Sequence, residues 1–115
     1  MHELSVAQAL LERAEAMCRA EKARAVRRIQ LRVGELAGIE KRQLAAAFAA
    51  IREGTLCAHA TLAFHDVAAV WSCPTCRVDV PRGAPLRCPT CGRPAVLMAG
   101  DALLLERVEL EVQDV

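Results

Sequence analysis

The chain has 115 residues, enough for one domain of ordinary size or a small domain with a metal-tied appendage, and too few for two full domains. Its apolar share of 54% includes 22 alanines, and only Phe48, Phe64 and Trp71 are aromatic, so the core is expected to be small. Fifteen Lys and Arg against fourteen Asp and Glu leave a formal charge of +1, which lacks the basic excess of proteins that bind nucleic acid through its phosphates.

The first residues, Met1-His2-Glu3-Leu4-Ser5, carry neither the basic flank nor the apolar stretch of a secretory signal. No apolar run approaches the roughly 18–20 residues of a membrane helix, so a cytoplasmic protein with no membrane partner is expected. Residues 5–23 place Ala7, Leu10, Leu11, Ala14, Met17 and Cys18 at spacings of three and four, with Glu12, Arg13, Glu15 and Arg19 between them. That is the period of an amphipathic helix. Ser5 followed by Gln8 reads as a capping box, which starts the helix at Ser5 and leaves Met1, His2 and Glu3 ahead of it.

Ile29, Gln30, Leu31, Arg32 and Val33 alternate as a strand with one buried face. Gly34 and Gly38 bracket a turn, and Leu44, Ala47, Phe48 and Ile51 share one face of a second helix that Gly54 ends in the left-handed conformation. Thr61 to His65 alternates again as a second strand. From Trp71 to Leu97 the pattern changes: all five prolines lie here, with two Cys-x-x-Cys pairs and little periodicity. Beyond Gly100, Val108, Leu110 and Val112 alternate with Glu109 and Glu111, giving a last strand that returns to the earlier sheet.

These elements predict an α+β fold in which two helices pack on a small three-stranded sheet, with an inserted zinc-ribbon-like four-cysteine module. Residues 1–69 together with 101–115 would form one domain and residues 70–100 the metal-binding one.

Cys73-Pro-Thr-Cys76 and Cys88-Pro-Thr-Cys91 are separated by eleven residues. Two thiolates three positions apart grip one side of a tetrahedral ion while the second pair closes the other, and four thiolates leave no position open for substrate. Zinc in a structural role is the leading reading. A single iron for electron transfer uses the same ligands, and a pair of redox dithiols suits proline-rich loops poorly. Gly92 after the second pair suits a knuckle turn with positive φ, whereas Arg77 holds the matching place in the first. Cys18 falls on the apolar helix face and Cys57 before a strand, neither at ligand spacing. His59 and His65 are read as solvated or hydrogen-bonded.

A histidine at position 2 has a use that it loses elsewhere: the Met1 amine, the His2 backbone nitrogen and the His2 imidazole converge on a flat set of nitrogen donors. Such a set suits Ni(II) or Cu(II) better than Zn(II). Glu3 offers a further backbone nitrogen or a carboxylate. On pattern alone a histidine at position 2 is more often a solvated, frayed terminus than a chelate.

Met1-His2-Glu3-Leu4-Ser5, Val33-Gly34-Glu35-Leu36-Ala37-Gly38, the helix around Leu44 and Phe48, Gly54-Thr55, the two cysteine pairs and Glu106-Arg107-Val108-Glu109-Leu110-Glu111 together resemble the HypA/HybF family of hydrogenase nickel-insertion proteins. The resemblance implies a metallochaperone, not an enzyme, that carries Ni(II) as cargo to the large subunit of nickel-iron hydrogenase. It implies His2 as the essential nickel ligand, with Met1 and Glu3 completing the chelate, and structural Zn(II) on Cys73, Cys76, Cys88 and Cys91. A GTPase of the same maturation pathway is the implied partner, and a homodimer is compatible with it. No Gly-x-x-x-x-Gly-Lys-Ser/Thr loop is present for nucleotide. No histidine lies between Asp66 and Val115 to lend an imidazole from the zinc module. The alternative is a zinc-ribbon adaptor for nucleic acid or a protein partner, with Lys22, Arg24, Arg27, Arg28 and Arg32 as its basic patch. Neighbouring glutamates offset those charges and no aromatics interleave them.

Overall fold

The computed structural model describes residues 2–112. The elements run α1 (Glu3–Ala20), β1 (Ala25–Gly34), α2 (Lys41–Ile51), β2 (Thr61–Val67), β3 (Val70–Ser72), β4 (Val96–Ala99) and β5 (Leu103–Glu111). They form a three-stranded sheet in the order β2-β1-β5 and a two-stranded sheet of β3 and β4. The expected α+β fold is present, with the cysteine segment inserted between strands of one sheet. Among the described residues no helix is long and apolar enough to cross a membrane.

The chain divides into two compact units, the first comprising Met1–Arg32, Ile39–His65 and Leu104–Val115. In this unit α1 buries Ala7, Leu10, Leu11, Ala14 and Cys18 along one face, the stripe that a 3.6-residue period predicts. It packs on α2, which supplies Leu44 and Phe48. Val26, Ile29 and Leu31 of β1 are buried with them, while Arg28 and Arg32 stay exposed. Cys57 and Ala60 close the core from the segment after α2. That segment is stitched on both sides, because the Leu56 N–H donates to the Glu15 carboxylate at 3.1 Å and the Leu56 carbonyl accepts from Val26 N–H at 2.9 Å. Burial pushes the Cys57 thiol up to about 11, aided by the charge of Glu15 and by Cys18. At neutral pH it is a small apolar side chain rather than a nucleophile.

One boundary differs from the sequence reading. The first helix starts at Glu3, two residues before Ser5, with His2 as its N-cap and Val6 N–H donating to the His2 carbonyl at 2.9 Å. The Glu3 carboxylate competes successfully with the capping box: it sits in the first turn, at the positive end of the helix dipole, and accepts Glu40 N–H at 3.2 Å. A long-range contact therefore sets where the helix begins.

β1 and β5 run antiparallel, since Arg24 N–H donates to the Glu111 carbonyl at 2.7 Å near one end and Gly34 N–H to the Ala102 carbonyl at 2.8 Å near the other. Side chains across the three strands meet at Glu106, which accepts from Gln30 at 3.4 Å and lies 3.8 Å from the Arg32 guanidinium and 3.3 Å from His65 Nδ1. His65 is thus hydrogen-bonded, and His59 is exposed. Charge pairs this exposed contribute less than about 1 kcal/mol each. They order the sheet surface more than they stabilise the fold.

The second unit comprises Val33–Gly38 and Asp66–Leu103. Its two-stranded sheet pairs Val70 with Ala99, Trp71 with Leu97 and Ser72 with Val96. Where residues 34–36 meet residues 67–69 and 100–102, Glu35 N–H donates to the Val67 carbonyl at 2.8 Å and Leu36 N–H to the Gly100 carbonyl at 2.7 Å. The backbones pass so closely that a Cβ on Gly34 would lie 2.4 Å from the Gly100 carbonyl carbon, and one on Gly100 would lie 2.5 Å from Ala69 Cα. Only hydrogen fits at either position.

Glu35 fastens this crossing. Its carboxylate takes both terminal nitrogens of Arg82, one at 2.9 Å, and Ala69 N–H at 2.9 Å. The Arg82 guanidinium, and then the Ala69 amide, hold the Glu35 carboxyl at about 2. A carboxylate whose pKa is depressed on folding stabilises the folded state above its unfolded value, and that stabilisation is lost as pH falls towards the folded one. The Glu35 carboxyl carbon, followed by NMR, should therefore titrate near pH 2 in the wild type and move towards 4.5 in Arg82→Gln. A Glu35 midpoint unchanged by the substitution would refute the pairing.

A four-cysteine metal centre

Both ligand pairs sit on tight turns of the second unit. In the first, Arg77 N–H donates to the Cys73 carbonyl at 2.8 Å and Cys73 N–H to the Val78 carbonyl at 3.0 Å. In the second, Gly92 N–H donates to the Cys88 carbonyl at 2.9 Å and Cys88 N–H to the Arg93 carbonyl at 2.8 Å. The turns are copies of one another, and each is continued by an antiparallel bridge, Ser72 to Asp79 and Arg87 to Pro94. The positive φ that each turn requires falls on Gly92 (76°) as expected, and on Arg77 (55°) in the first.

The turns bring Cys73, Cys76, Cys88 and Cys91 together, with all four Sγ atoms within 4.8 Å of one another. Cys73 Sγ and Cys91 Sγ are 3.6 Å apart, close to the roughly 3.8 Å edge of a tetrahedron with zinc–sulfur bonds of about 2.3 Å. Cys73 and Cys88 are buried, Cys76 is half-buried and Cys91 is exposed. Four soft donors in this arrangement form a closed site that fits zinc.

Backbone amides prepare the first thiolate of each pair. Cys76 N–H donates to Cys73 Sγ at 3.4 Å, while Thr90 and Cys91 N–H donate to Cys88 Sγ at 3.3 and 3.4 Å. These amides lower the Cys88 thiol to about 6, the Cys91 amide contributing most, and the Cys76 amide is the main cause of the downward shift at Cys73. Hydrogen bonding to Cys91, followed by burial and the remaining sulfurs, pushes Cys76 up to about 12. Four adjacent thiolates repel one another, and a divalent cation removes that repulsion.

Of the three residues expected at the second site, His2 and Glu3 are described and Met1 lies outside the described residues. His2 is exposed at the N-cap of α1. Glu3 is buried, its carboxylate holding Glu40 N–H at the start of α2, and the Glu40 side chain in turn accepts Arg42 N–H at 2.9 Å. Sequence reasoning missed Glu40. Its position just ahead of the periodic residues of α2 marked a cap, but nothing local pointed to Glu3, 37 residues away.

A small α+β unit joined in one chain to a closed four-cysteine centre defines a small metal-binding protein. The family model described as "Hydrogenase/urease nickel incorporation, metallochaperone, hypA" matches residues 1–110. The Chloroflexus aggregans "Hydrogenase maturation factor HypA" is 38% identical over 96 residues, covering 82% of this chain and 84% of that protein. The Deinococcus radiodurans protein of the same description is 40% identical over 109 residues, covering 91% and 89%. The solution structure of the nickel metallochaperone HypA from Helicobacter pylori aligns with a TM-score of 0.70 at 25% identity, over 98% of this chain and all of that one. The chain belongs to the HypA family of nickel metallochaperones for hydrogenase maturation.

Proposed function

We propose that this chain binds Ni(II) as cargo through Met1, His2 and Glu3 and helps insert it into the large subunit of nickel-iron hydrogenase, working with a maturation GTPase in the reducing cytoplasm. Residues 1–69 and 101–115 serve the nickel, and residues 70–100 hold a structural zinc on Cys73, Cys76, Cys88 and Cys91. The observation that carries the reading is the placement of His2: exposed, and next to a Glu3 whose carboxylate is tied to the start of α2. A donor set with one face in solvent releases its ion to an acceptor more readily than a caged one. Thiolate in the zinc site and nitrogen at the terminus also keep the two ions apart by ligand type.

The test is a nickel titration of tag-free, zinc-loaded protein beside His2→Ala, with zinc content checked in both. Loss of groups that merely orient a ligand weakens metal binding about 10–100-fold, so loss of the ligand itself is expected to cost at least about 100-fold. Equal nickel affinity in the two proteins would move the site elsewhere.

A further inference from the structure

Because the two cysteine turns share one hydrogen-bond plan, their differences are informative. The second meets the need for positive φ with Gly92, the first with Arg77 at 55°. A side chain longer than Asn or Asp in the left-handed region costs about 1 kcal/mol or more, a cost that glycine avoids. Arg77 is exposed and lines a small cavity with Pro74, Asp79 and Met98.

Two more arginines flank the same turns and are held in place. Arg87 Nη1 donates to the Gly92 carbonyl at 3.1 Å, and Arg93 Nη1 donates to Thr75 Oγ1 at 3.2 Å. The Arg87 guanidinium therefore lies at the tip of the second turn, and that of Arg93 reaches the tip of the first, two residues from Arg77. All three residues are exposed. Among the described residues none has a carboxylate within ion-pair distance, unlike Arg19 with Glu15, Arg28 with Glu109, Arg32 with Glu106 and Arg82 with Glu35. Their hydrogen bonds to neutral oxygens fix two of the guanidiniums yet leave the charge and several donors facing outwards.

We infer that Arg77, Arg87 and Arg93 form a docking surface for an acidic segment, rich in Asp and Glu, of a protein partner. Carboxylates match the forked donors of pre-positioned guanidiniums. Nucleic acid is the poorer occupant, because three cations neutralise few phosphates and no exposed aromatic lies among them to stack on a base. The surface stands apart from the nickel reading, since it involves neither His2 nor its neighbours.

Zinc-loaded full-length protein, labelled with nitrogen-15, is titrated at low salt with a short oligoglutamate peptide and, separately, with an oligothymidylate of equal charge. The arginine Nε signals of Arg77, Arg87 and Arg93 should shift with the peptide. The triple Arg→Gln variant should bind it about tenfold more weakly, the order expected from three exposed charge pairs, whereas Arg28→Gln should bind as the wild type does. Zinc content is measured throughout, and the wild-type signals give an answer even if the triple variant folds poorly. The proposal is overturned by absent shifts, by shifts confined to other arginines, or by tighter binding of the oligothymidylate. It also fails if the variant loses zinc yet binds the peptide unchanged once reloaded, which would leave the arginines to balance the charge of the metal centre.

Discussion

Removing the metal from Cys73, Cys76, Cys88 and Cys91 is expected to abolish the fold of residues 70–99 while leaving the helices of the other unit in place. Between Asp66 and Leu103 the buried residues are Ser72, Cys73, Cys88 and Gly100, so two of the four are ligands and none is a large apolar side chain. A segment this poor in core cannot offset the roughly 1–2 kcal/mol per residue that backbone ordering costs. A structural zinc supplies about 10–16 kcal/mol at neutral pH. The other unit keeps Leu10, Ile29, Leu31, Leu44 and Phe48 in its own core. On adding a strong chelator, amide signals of residues 70–99 should collapse towards random-coil positions while the far-ultraviolet helical signal changes little, and returning zinc should restore them. Cys88→Ser should behave like the chelated protein, because it removes the thiolate that two backbone amides prepare. Retention of dispersed signals for this segment without metal would show that the fold rests on contacts other than the ion.

Gly100→Ala is expected to destabilise the same unit by about 3 kcal/mol or more, from two effects that act at once. With φ at 95° the residue lies where L side chains are strained, at about 1–3 kcal/mol. The new methyl group would also lie 2.5 Å from Ala69 Cα and 2.8 Å from the Ala68 carbonyl, and backbone cannot turn aside as a side chain can. Forcing a methyl group into such a gap adds about 1–3 kcal/mol. Gly83→Ala, in the same unit, is the control: its φ is 87° but a Cβ there meets nothing within 4 Å, so only the strain remains. Urea denaturation of zinc-loaded variants should rank Gly100→Ala well below Gly83→Ala. Equal midpoints would mean that the close crossing relaxes at little cost.

The elements that repeated a period were readable from the chain. Ala7 to Cys18 announced a helix face and Ile29 to Val33 a half-buried strand, because each pattern is written by local geometry. The metal ligands were readable for the same reason, two pairs at fixed spacing. What escaped were β3 and β4, three and four residues long, whose pairing follows from the metal turns beside them rather than from alternation. The start of α1 also escaped, since Ser5 and Gln8 offered a plausible cap and the deciding contact, Glu3 with Glu40, joins residues 37 apart in the chain. Glu35 with Arg82 is of the same kind: each looked like an ordinary surface charge, and only the crossing of three backbone segments put them side by side.

The strand order has a consequence for how the molecule is made. β5 pairs with β1, yet it follows the entire cysteine segment in the chain, so a growing polypeptide presents α1, β1, α2 and β2 well before the strand that completes their sheet exists. Until then β1 has an open edge, and closing it means bringing together ends separated by a long intervening loop. A metal ion that gathers residues 73–91 shortens that loop and lowers the entropy of closure, although only slowly with length. Capture of a metal by these cysteines would then favour closure by the final strand, and chains without it would expose an unpaired strand edge for longer.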